Sequence, residues 1–406
     1  MLTVAEALEL VRQNSTASPP VAISTDDALG LTLAENIISD IDSPPWDKSM
    51  VDGHAIRVAD LPGGVGELTL LEEIHAGAVP TQSISPGVCS RIMTGAPIPA
   101  GAEAVVMLEQ TEIVSPTRIR FNDPRLRAGQ NIMRQGASLR RGETVLEEGR
   151  TIRPIEIGLL AEVGRISVVS VSRPRVAILS TGNELVPPDV IPSGSQIRNS
   201  NGPLLAAAVR RAGAVPIELG ICRDDADSLR EKIAIGLQAD ILVLSGGVSA
   251  GVLDLVPNVL AELGIEKVFH KVQLKPGKPI WFGRASSPSH ALVFGLPGNP
   301  VSSCVCFELF VRLAIARLSG RQAVVTFRAR PARLAAEFTH RGDRPTYFPA
   351  LLQFGDGANG DSVTPLRWAG SADLRGFAAA NALIAFPAGD RVFATDETVD
   401  VLPLDE

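Results

Sequence analysis

The sequence predicts a multidomain chain in which a doubly wound α/β domain is joined to β-rich domains, and three observations support this. Between residues 175 and 318, apolar runs typical of strands alternate with runs of helical spacing, which is typical of α/β sheets with right-handed crossovers. Between residues 42 and 133, Pro and Gly punctuate short β-type runs, which predicts a turn-rich β domain. After Gly320 the chain is again strand-rich, so we expect a small terminal β domain.

The N-terminal part of the chain is predicted to be helical. An apolar stripe predicts a helix over residues 3–12, and residues 25–27 are expected to cap a second helix. Residues 136–173 contain a helix led by Pro154 and a β-type run, which we expect to pack back on the N-terminal helices. The first domain would then be discontinuous. The predicted domains are residues 1–44 with 135–172, residues 45–134, residues 173–320 and residues 321–406.

The apolar runs also give the expected order of elements. In the α/β domain, the strand candidates are residues 176–179, 215–220, 241–245, 268–274 and 291–294, and the helix candidates are residues 202–212, 227–238, 255–263 and 301–318. In the two β domains, the strand candidates are residues 67–74, 104–108, 323–334, 346–354, 382–386 and 396–402.

Composition narrows the function classes. The formal net charge of −7 argues against a general nucleic-acid binder, because such a protein needs a basic face. The four cysteines show no CxxC pair or zinc-like spacing and no signal peptide is recognised, so we expect a reducing, cytoplasmic setting. The most apolar stretch, residues 301–318, contains a carboxylate and two arginines and predicts a core helix rather than a membrane span. None of the five histidines lies at metal-ligand spacing, so carboxylates would have to bind any metal.

Residues 291–302 combine a buried-type strand, a rigid Pro/Gly loop and a helix start. Asn299 is expected to cap the helix and Pro300 to occupy its first turn, with Glu308 and Arg312 paired on one face. A helix that begins at a strand end points its unpaired N–H groups and positive dipole at a ligand beyond the sheet edge. A purely structural turn is the alternative, and for an isolated motif it is the more common one.

The motif is not isolated, because unusual loops follow several strands of the predicted sheet, and the carboxyl ends of such strands meet at one rim. These loops are residues 180–184, 222–225, 245–254 and 296–300. Three lysines and the glycine-rich turns favour an anion, whereas three acids would repel it. The lysines are Lys271, Lys275 and Lys278 on a β-type segment, and the acids are Glu184, Asp224 and Asp254. The two sets are compatible if Mg²⁺ lies between them with a phosphorylated or pyrophosphate-linked ligand, since Mg²⁺ prefers few carboxylates together with phosphate oxygens.

Each part of this set has a structural alternative. A lone acid such as Asp224 is often a helix cap, and the lysines can form a solvated strand face. The chain has no Walker lysine pattern and no GxGxxG helix start, so neither a nucleoside triphosphatase nor a dinucleotide enzyme is supported. The occurrence of the whole set at successive strand ends favours the functional interpretation.

The same residues resemble the motifs of the molybdopterin molybdenumtransferase family, the MoeA enzymes related to the E domain of gephyrin. The matching segments occur in order over nearly the whole chain and are residues 49–55 (SMVDGHA), 91–97 (RIMTGAP), 180–184 (STGNE), 245–249 (SGGVS) with Asp254, 275–279 (KPGKP) and 296–301 (LPGNPV). The resemblance implies an elongated four-domain subunit with a MogA-like α/β domain and a small C-terminal β-barrel. It also implies a homodimer whose composite site lies between one subunit's α/β domain and the partner's N-terminal region.

By this resemblance, the chain would take adenylylated molybdopterin and molybdate, release AMP with Mg²⁺ and place molybdenum on the dithiolene. The residues implied to be catalytic are Asp52, Thr94, Glu184, Asp254 and Lys275, with Asp52 and Thr94 contributed by the partner subunit. The implied metal ligands are Glu184, Asp224 and Asp254. The implied cofactor-binding residues are Thr181, Gly182, Asp224, Ser245, Gly246, Gly247, Ser249, Lys271, Lys278, Pro297, Gly298, Asn299, Pro300 and Ser371. A molybdopterin adenylyltransferase and recipient molybdoenzymes would be partners, without nucleic acid or membrane.

The chain departs from the family pattern at several positions. Ala137 and Ser138 stand where acids belong, and His54 replaces the usual Tyr. These changes leave open a non-catalytic or specialised carrier that holds molybdopterin for a partner enzyme. A different phosphate-ester hydrolase is a third interpretation, which explains the acids and lysines but not Asp52, Thr94 and Ser371. Molybdate and tungstate have nearly the same size and charge, so both are candidate oxyanions.

Overall fold

The computed structural model describes residues 1–247, 255–286, 289–321, 329–355 and 360–404. The N-terminal segment contains helix α1 (Val4–Asn14) and strands β1 (Pro20–Ser24), β2 (Thr32–Leu33) and β3 (Ile37–Ile38). The predicted first helix is confirmed and begins with a reciprocal cap. Thr3 Oγ1 accepts a hydrogen bond from Glu6 N at 3.2 Å, and the Glu6 carboxylate accepts one from Thr3 N at 2.8 Å. Ala7 and Val11 of α1 are buried in the core of the α/β domain.

The prediction of a second N-terminal helix, capped by residues 25–27, is wrong. Thr25–Asp27 form a single 3-10 turn capped by Ser24, and the chain then enters β2. Gly30 has φ 80°, a left-handed conformation that interrupts a helical path. Strand β2 pairs instead with residues 170–171 farther along the chain. Strand pairing therefore replaces the expected helix.

The turn-rich β domain is built around a six-stranded sheet. Its elements are β4 (Lys48–Ser49), β5 (Gly53–Ile56), β6 (Val65–Ile74), β7 (Val88–Ile92), β8 (Ala104–Met107), β9 (Thr111–Ser115), β10 (Arg118–Asn122) and β11 (Ile132–Met133). The sheet has the order β8-β5-β7-β6-β10-β9, and β4 pairs separately with β11. The strands predicted at residues 67–74 and 104–108 are confirmed as β6 and β8.

The next segment returns to the N-terminal strands. It contains β12 (Thr144–Leu146), α2 (Pro154–Glu162) and β13 (Ser167–Val171). Strand β13 pairs with both β1 and β2, and β12 pairs with β3. Leu33, Ile37, Leu160 and Val168 share one buried cluster in this region. The segment therefore packs back on the N-terminal part as expected, but through strands, while α1 packs on the α/β domain.

The α/β domain is a six-stranded sheet with helices on both faces. Its elements are β14 (Arg175–Thr181), β15 (Leu185–Val186), β16 (Ile197–Arg198), α3 (Asn201–Arg211), β17 (Val215–Cys222), α4 (Ala226–Gly236), β18 (Ile241–Ser245), α5 (Leu255–Glu262), β19 (Ile265–His270), β20 (Trp281–Ala285), β21 (Leu292–Leu296), α6 (Pro300–Cys306) and α7 (Arg312–Leu318). The strand order is β17-β14-β18-β21-β20-β19. The first four strands are parallel, which confirms the predicted doubly wound sheet, and β20 and β19 extend it in antiparallel fashion.

The strand predicted at residues 268–274 ends earlier than expected. Strand β19 stops at His270, and Lys271 has φ 69°, which an L residue in a strand does not adopt. Lys275 and Lys278 consequently lie in the loop between β19 and β20, which we call the lysine loop (residues 271–280). The prediction that the three lysines share a β segment is therefore wrong.

Residues 300–318 form one continuous helical segment, as predicted, with a wider π-helical turn at Phe307–Val311 between α6 and α7. Glu308 lies in this turn and is fully buried. Its carboxylate pairs with Arg211 of α3 and, at 3.1 Å, with Arg312, which confirms the predicted Glu308–Arg312 pair. The two arginines offset the free-energy cost of burying the Glu308 carboxylate. Within the described residues, no helix is long and apolar enough to cross a membrane.

The terminal β domain is a closed barrel, as the family resemblance implied. Its elements are β22 (Arg330–Leu334), β23 (Phe338–His340), β24 (Thr346–Gln353), β25 (Ser362–Pro365), α8 (Leu374–Phe377), β26 (Ala382–Phe386), β27 (Arg391–Phe393) and β28 (Thr398–Pro403). The barrel closes in the order β22-β25-β24-β26-β28. Lys275 N donates to Pro345 O at 2.9 Å, and Tyr347 N donates to Lys275 O at 2.8 Å. These bonds attach the barrel to the lysine loop.

Candidate functional site

The first cavity lies at the carboxyl ends of β14, β18 and β21. Ser245 is level with Ser180 on one side and with Leu296 on the other, so the loops that follow the three strands begin side by side. The cavity has a volume of about 490 Å³, and we call it the acidic cavity because Glu184 and Asp224 line it. The predicted site residues that line it are Thr181, Gly182, Glu184, Asp224, Ser245, Gly246, Gly247, Pro297, Gly298 and Asn299.

Glycine is required at two positions of the loop after β18. Gly246 has φ 95°, and a Cβ there would lie 2.5 Å from the carbonyl oxygen of Thr181. Gly247 has φ 65°, and its Cβ would lie 2.9 Å from Thr181 Oγ1. The left-handed backbone and the close approach both disfavour larger residues. The two glycines therefore let the chain directly after β18 pack on the end of β14.

Glu184 and Asp224 reach the acidic cavity from two different loops. A Cβ at Gly182 would lie 2.7 Å from either carboxylate oxygen of Glu184, so that carboxylate lies against the turn after β14. Asp224 follows β17. The helix-cap role that was an alternative for Asp224 belongs to Asp225, which accepts a hydrogen bond from Ser228 N at 2.8 Å. Asp224 is therefore not the residue that caps α4.

The third predicted metal ligand, Asp254, lies outside the described residues, as does Ser249. In the described part of the chain, no group of three His, Cys, Asp or Glu side chains is placed to hold a metal. Mg²⁺ commonly takes only one or two carboxylates and completes its coordination with water and substrate oxygens. Glu184 and Asp224 at one cavity are compatible with that donor set.

A second cavity, with a volume of about 560 Å³, adjoins the first and lies between the α/β domain and the barrel. Pro279, Pro297 and Asn299 line both cavities. The cations that line the second cavity are Lys275, Lys278 and Arg344, and the barrel also contributes Phe348, Trp368 and Ser371. None of its described lining residues is acidic, so we call it the basic cavity. It favours an anion, whereas the acidic cavity favours a cation.

Arg344 is held beside the lysine loop by two contacts. Its Nη1 donates to Leu274 O at 3.1 Å. Its Nε donates to the exposed Asp343 carboxylate at 3.2 Å, and this bond lowers the pKa of Asp343. Because Leu274 directly precedes Lys275, the first contact keeps the guanidinium of the barrel close to the lysines of the α/β domain.

Asn299 is the N-cap residue of α6 and Pro300 occupies the first turn, as predicted, but the Asn299 side chain makes no capping hydrogen bond. Asn299 Nδ2 donates instead to Ser371 Oγ at 2.8 Å, across the boundary between the two domains. The Ser371 carbonyl accepts a hydrogen bond from Val301 N at 3.1 Å, so one amide at the helix start is already satisfied. The side chain does not cap the helix because the barrel offers it a partner that the local helix pattern does not contain.

Four predicted residues are not among the described residues that line either cavity: Lys271, Pro300, Asp52 and Thr94. Lys271 lies at the start of the lysine loop, where its N–H donates to Ile280 O at 2.9 Å. Asp52 and Thr94 lie together in the β domain. Thr94 N and Thr94 Oγ1 both donate to Asp52 Oδ1 at 2.7 Å. The backbone hydrogen bond, followed by the side-chain one, holds the pKa of Asp52 below its usual value.

Some residues of the two cavities carried no sequence signal. Asn201, the first residue of α3, lines the acidic cavity, but an asparagine before a helical run is typical of an ordinary helix start. Arg344 and Trp368 line the basic cavity from a domain that is separate in sequence. Nothing in their local patterns indicated that the barrel would face the lysine loop.

Comparison with known proteins points to one family. Three family models match the chain: the MoeA N-terminal region (domain I and II) at residues 2–164, a probable molybdopterin binding domain at residues 177–317, and the MoeA C-terminal region (domain IV) at residues 331–404. A molybdopterin molybdenumtransferase of Staphylococcus aureus is 32% identical over 409 residues, which covers 99% of this chain and 95% of the relative. One of Staphylococcus epidermidis is 32% identical over 412 residues, with coverage of 99% and 95%.

Solved structures agree with this at the level of the whole fold. A molybdopterin biosynthesis MoeA protein from Pyrococcus horikoshii superposes with a TM-score of 0.83 at 30% identity, covering 100% of this chain and 99% of that chain. A second structure of a Pyrococcus horikoshii MoeA protein gives 0.81 at 28% identity, covering 99% and 100%. The similarity thus spans all parts of the chain rather than the α/β domain alone.

Proposed function

The chain belongs to the molybdopterin molybdenumtransferase family, MoeA, whose role is molybdenum cofactor biosynthesis, and from this premise we propose the reaction that it catalyses. Adenylylated molybdopterin and molybdate bind together, the phosphoanhydride is hydrolysed in a Mg²⁺-dependent step, AMP leaves, and molybdenum is placed on the dithiolene. A molybdopterin adenylyltransferase supplies the substrate in the cytoplasm, and recipient molybdoenzymes take the product.

The observation that carries the proposal is the pair of adjoining cavities of opposite charge. Glu184 and Asp224 of the acidic cavity would hold Mg²⁺, which would supply positive charge for the phosphates of the adenylate half. The basic cavity, with three cations and no acid among its described lining residues, suits the oxyanion and the anionic pterin half. Because Pro279, Pro297 and Asn299 line both cavities, one phosphoanhydride-linked substrate can occupy both.

Cleavage of a phosphoanhydride depends on positioning and charge stabilisation more than on a covalent nucleophile. When bound, Mg²⁺ neutralises charge on the phosphate oxygens. Lys275 and Lys278 approach from the basic cavity, where they stabilise the oxyanion and the charge that develops on the leaving phosphate. Ser371, whose hydroxyl accepts a bond from Asn299, orients the pterin half.

Release of AMP tests the proposal. The protein is incubated with adenylylated molybdopterin, molybdate and Mg²⁺, and AMP is measured by chromatography; we expect release that requires all three. Lys278→Met should lower kcat/KM by roughly 100-fold, the scale for removing one group that stabilises transition-state charge. Lys267→Met removes an exposed lysine of β19 and should leave kcat/KM unchanged. No AMP from the wild type, under conditions in which another family member is active, would overturn the proposal.

We further propose that the protein acts as a homodimer with a composite site. None of the described residues that line the two cavities comes from the β domain, although Asp52 and Thr94 form a preorganised pair there. Trp46 and Met50, close to Asp52 in sequence, are exposed apolar side chains that a second subunit could cover. Asp52 and Thr94 would then complete the site of the partner subunit.

Mixing two impaired variants tests this arrangement. Asp52→Ala and Lys278→Met should each retain roughly 1% of the wild-type activity or less when alone. After subunit exchange, a heterodimer with a composite site contains one site with both native residues, so the mixture should recover about a quarter of the wild-type activity. If each site is built within one subunit, the mixture stays at the level of the single variants.

A cofactor carrier is the second candidate, because Ala137 and Ser138 replace acids of the family pattern. Their loop is nevertheless anchored by another acid, since Asp47 accepts hydrogen bonds from Gln135 N at 2.8 Å and from Arg134 Nη1 at 2.5 Å. A carrier would bind molybdopterin tightly without releasing AMP, and Ala137→Glu would then be expected to restore release.

A further inference from the structure

The segment that joins β16 to the start of α3 binds the ends of neighbouring strands through two asparagines, Asn199 before the helix and Asn201 as its first residue. Asn199 Oδ1 accepts a hydrogen bond from Ser180 Oγ of β14 at 3.0 Å. Asn201 Nδ2 donates to Ser245 Oγ, at the end of β18, and to Gly298 O, after β21, both at 2.7 Å. Ser245, Gly298 and Asn201 all line the acidic cavity. The segment therefore connects three strand ends at this cavity.

The chemistry of the partners fixes the direction of each bond. A carbonyl oxygen only accepts, so the atom of Asn201 that contacts Gly298 O is the amide nitrogen. The two protons of that nitrogen go to Gly298 O and Ser245 Oγ, which makes Ser245 an acceptor in this pair. The single proton of the Ser245 hydroxyl remains available to donate. It does not go to Asn201 Oδ1, which is buried without a partner among the described residues.

We propose that Asn201 is a positioning residue that fixes Ser245 as a hydrogen-bond donor to a phosphate oxygen of the nucleotide half. Ser245 is only 2% exposed and lines the acidic cavity, so an acceptor for its proton has to lie in that cavity. Glu184 and Asp224 repel an anion at the same cavity. The neutral Ser245 hydroxyl, which donates in a fixed direction, offsets this repulsion without a cation. This inference rests on the proposed function, because it places the phosphate in the acidic cavity.

Equilibrium binding of AMP and ADP with Mg²⁺ to the full chain, measured by calorimetry, tests the inference. Ser245→Ala should raise the Kd by roughly 10-fold or more, the scale for one hydrogen bond to a charged group. Asn201→Asp keeps the size of the side chain, but its carboxylate accepts the Ser245 proton, so we expect a similar or larger increase. Asn201→Ala leaves the hydroxyl free to rotate, and its smaller increase should disappear in the Ser245→Ala background.

Asn381 offers a matched control. In the barrel, its Oδ1 accepts a hydrogen bond from Leu352 N at 2.7 Å and its Nδ2 donates to Leu352 O at 2.9 Å. We therefore expect both Asn381→Ala and Asn201→Ala to lower the melting temperature, and Asn381→Ala to leave the Kd unchanged. The inference would be overturned if Ser245→Ala left the Kd unchanged, or if Asn201→Ala had an effect of the same size in both Ser245 backgrounds. Neither result would overturn the proposed function. A wild type that binds neither nucleotide would overturn the proposed role of the acidic cavity and, with it, the inference.

Discussion

The burial of His54 predicts how the free energy of unfolding of this protein depends on pH. The ring is buried, and its Nδ1 has no hydrogen-bond partner among the described residues. It lies opposite Arg91 of β7, and it packs edge-on against Phe121 with 5.6 Å between ring centroids. Burial, with a smaller contribution from Arg91, lowers the pKa of His54 from 6.5 to about 4. The folded chain thus keeps His54 neutral at pH values where the unfolded chain protonates it.

The sign of the effect follows from this difference in proton binding. Above pH 6.5 the ring is neutral in both states, and its contribution to stability is fully present. As the pH falls from 6.5 toward 4, the unfolded chain binds a proton that the folded chain does not, so the free energy of unfolding decreases. The shift from 6.5 to about 4 corresponds to about 3 kcal/mol, of which about 2 kcal/mol is lost by pH 5.

The assay is urea unfolding of wild type and His54→Phe at pH 7, 6 and 5, with hydrogen exchange of β5 and β7 reporting on the β domain. Phe retains an aromatic ring against Phe121 and cannot titrate. The variant should therefore lose about 2 kcal/mol less than the wild type between pH 7 and pH 5. His290→Asn replaces an exposed histidine at φ 53°, which Asn tolerates, and should follow the wild type. Parallel curves for wild type and His54→Phe would refute the reasoning.

Two further predictions concern the cavity wall and the buried ion pair. Gly246→Ala should abolish nucleotide binding and cost about 2 kcal/mol or more in urea unfolding, since its Cβ would collide with the Thr181 carbonyl. Gly264→Ala, at φ 73° with open space around it, should cost only about 1 kcal/mol and leave binding intact; equal effects of the two variants would contradict this. Glu308→Gln should lower the free energy of unfolding by about 3 kcal/mol, because it removes the buried charge that two arginines pair with. Glu9 is partly buried and pairs with Arg12 at the surface of α1, and because surface ion pairs contribute little, Glu9→Gln should leave stability nearly unchanged. A similarly small loss for Glu308→Gln would argue against a structural role of the buried pair.

The position of the acidic cavity could be predicted because it depends on local patterns. Apolar runs placed β14, β18 and β21, and a general property of parallel sheets brought their carboxyl ends to one rim. Gly246 and Gly247, directly after a strand, indicated a close turn, and the structure shows the backbone contact that requires them. In each case, a few consecutive residues were enough to predict the local structure.

The basic cavity depends on contacts between segments that are distant in sequence. Asn299 has the local pattern of a helix cap, yet Ser371 competes for its side chain from the barrel. Arg344 is placed by a backbone carbonyl of the lysine loop. Lys271 was expected to join the other lysines, but its positive φ ends the strand and takes it out of the described lining of the cavity. Tertiary partners decided these positions, and local preference did not reveal them.

The same domain boundary connects substrate binding to the docking of the barrel. Lys275 takes part in hydrogen bonds with both Pro345 and Tyr347, while its side chain lines the basic cavity. A substrate that occupies both cavities would therefore contact the α/β domain through Glu184 and the barrel through Ser371 at once. Since a ligand stabilises whichever arrangement it binds, such a substrate would hold the two domains together, whereas AMP alone, confined to the acidic cavity, would not. In the proposed reaction, release of AMP would leave the pterin half held by the basic cavity, so that molybdenum would be placed there.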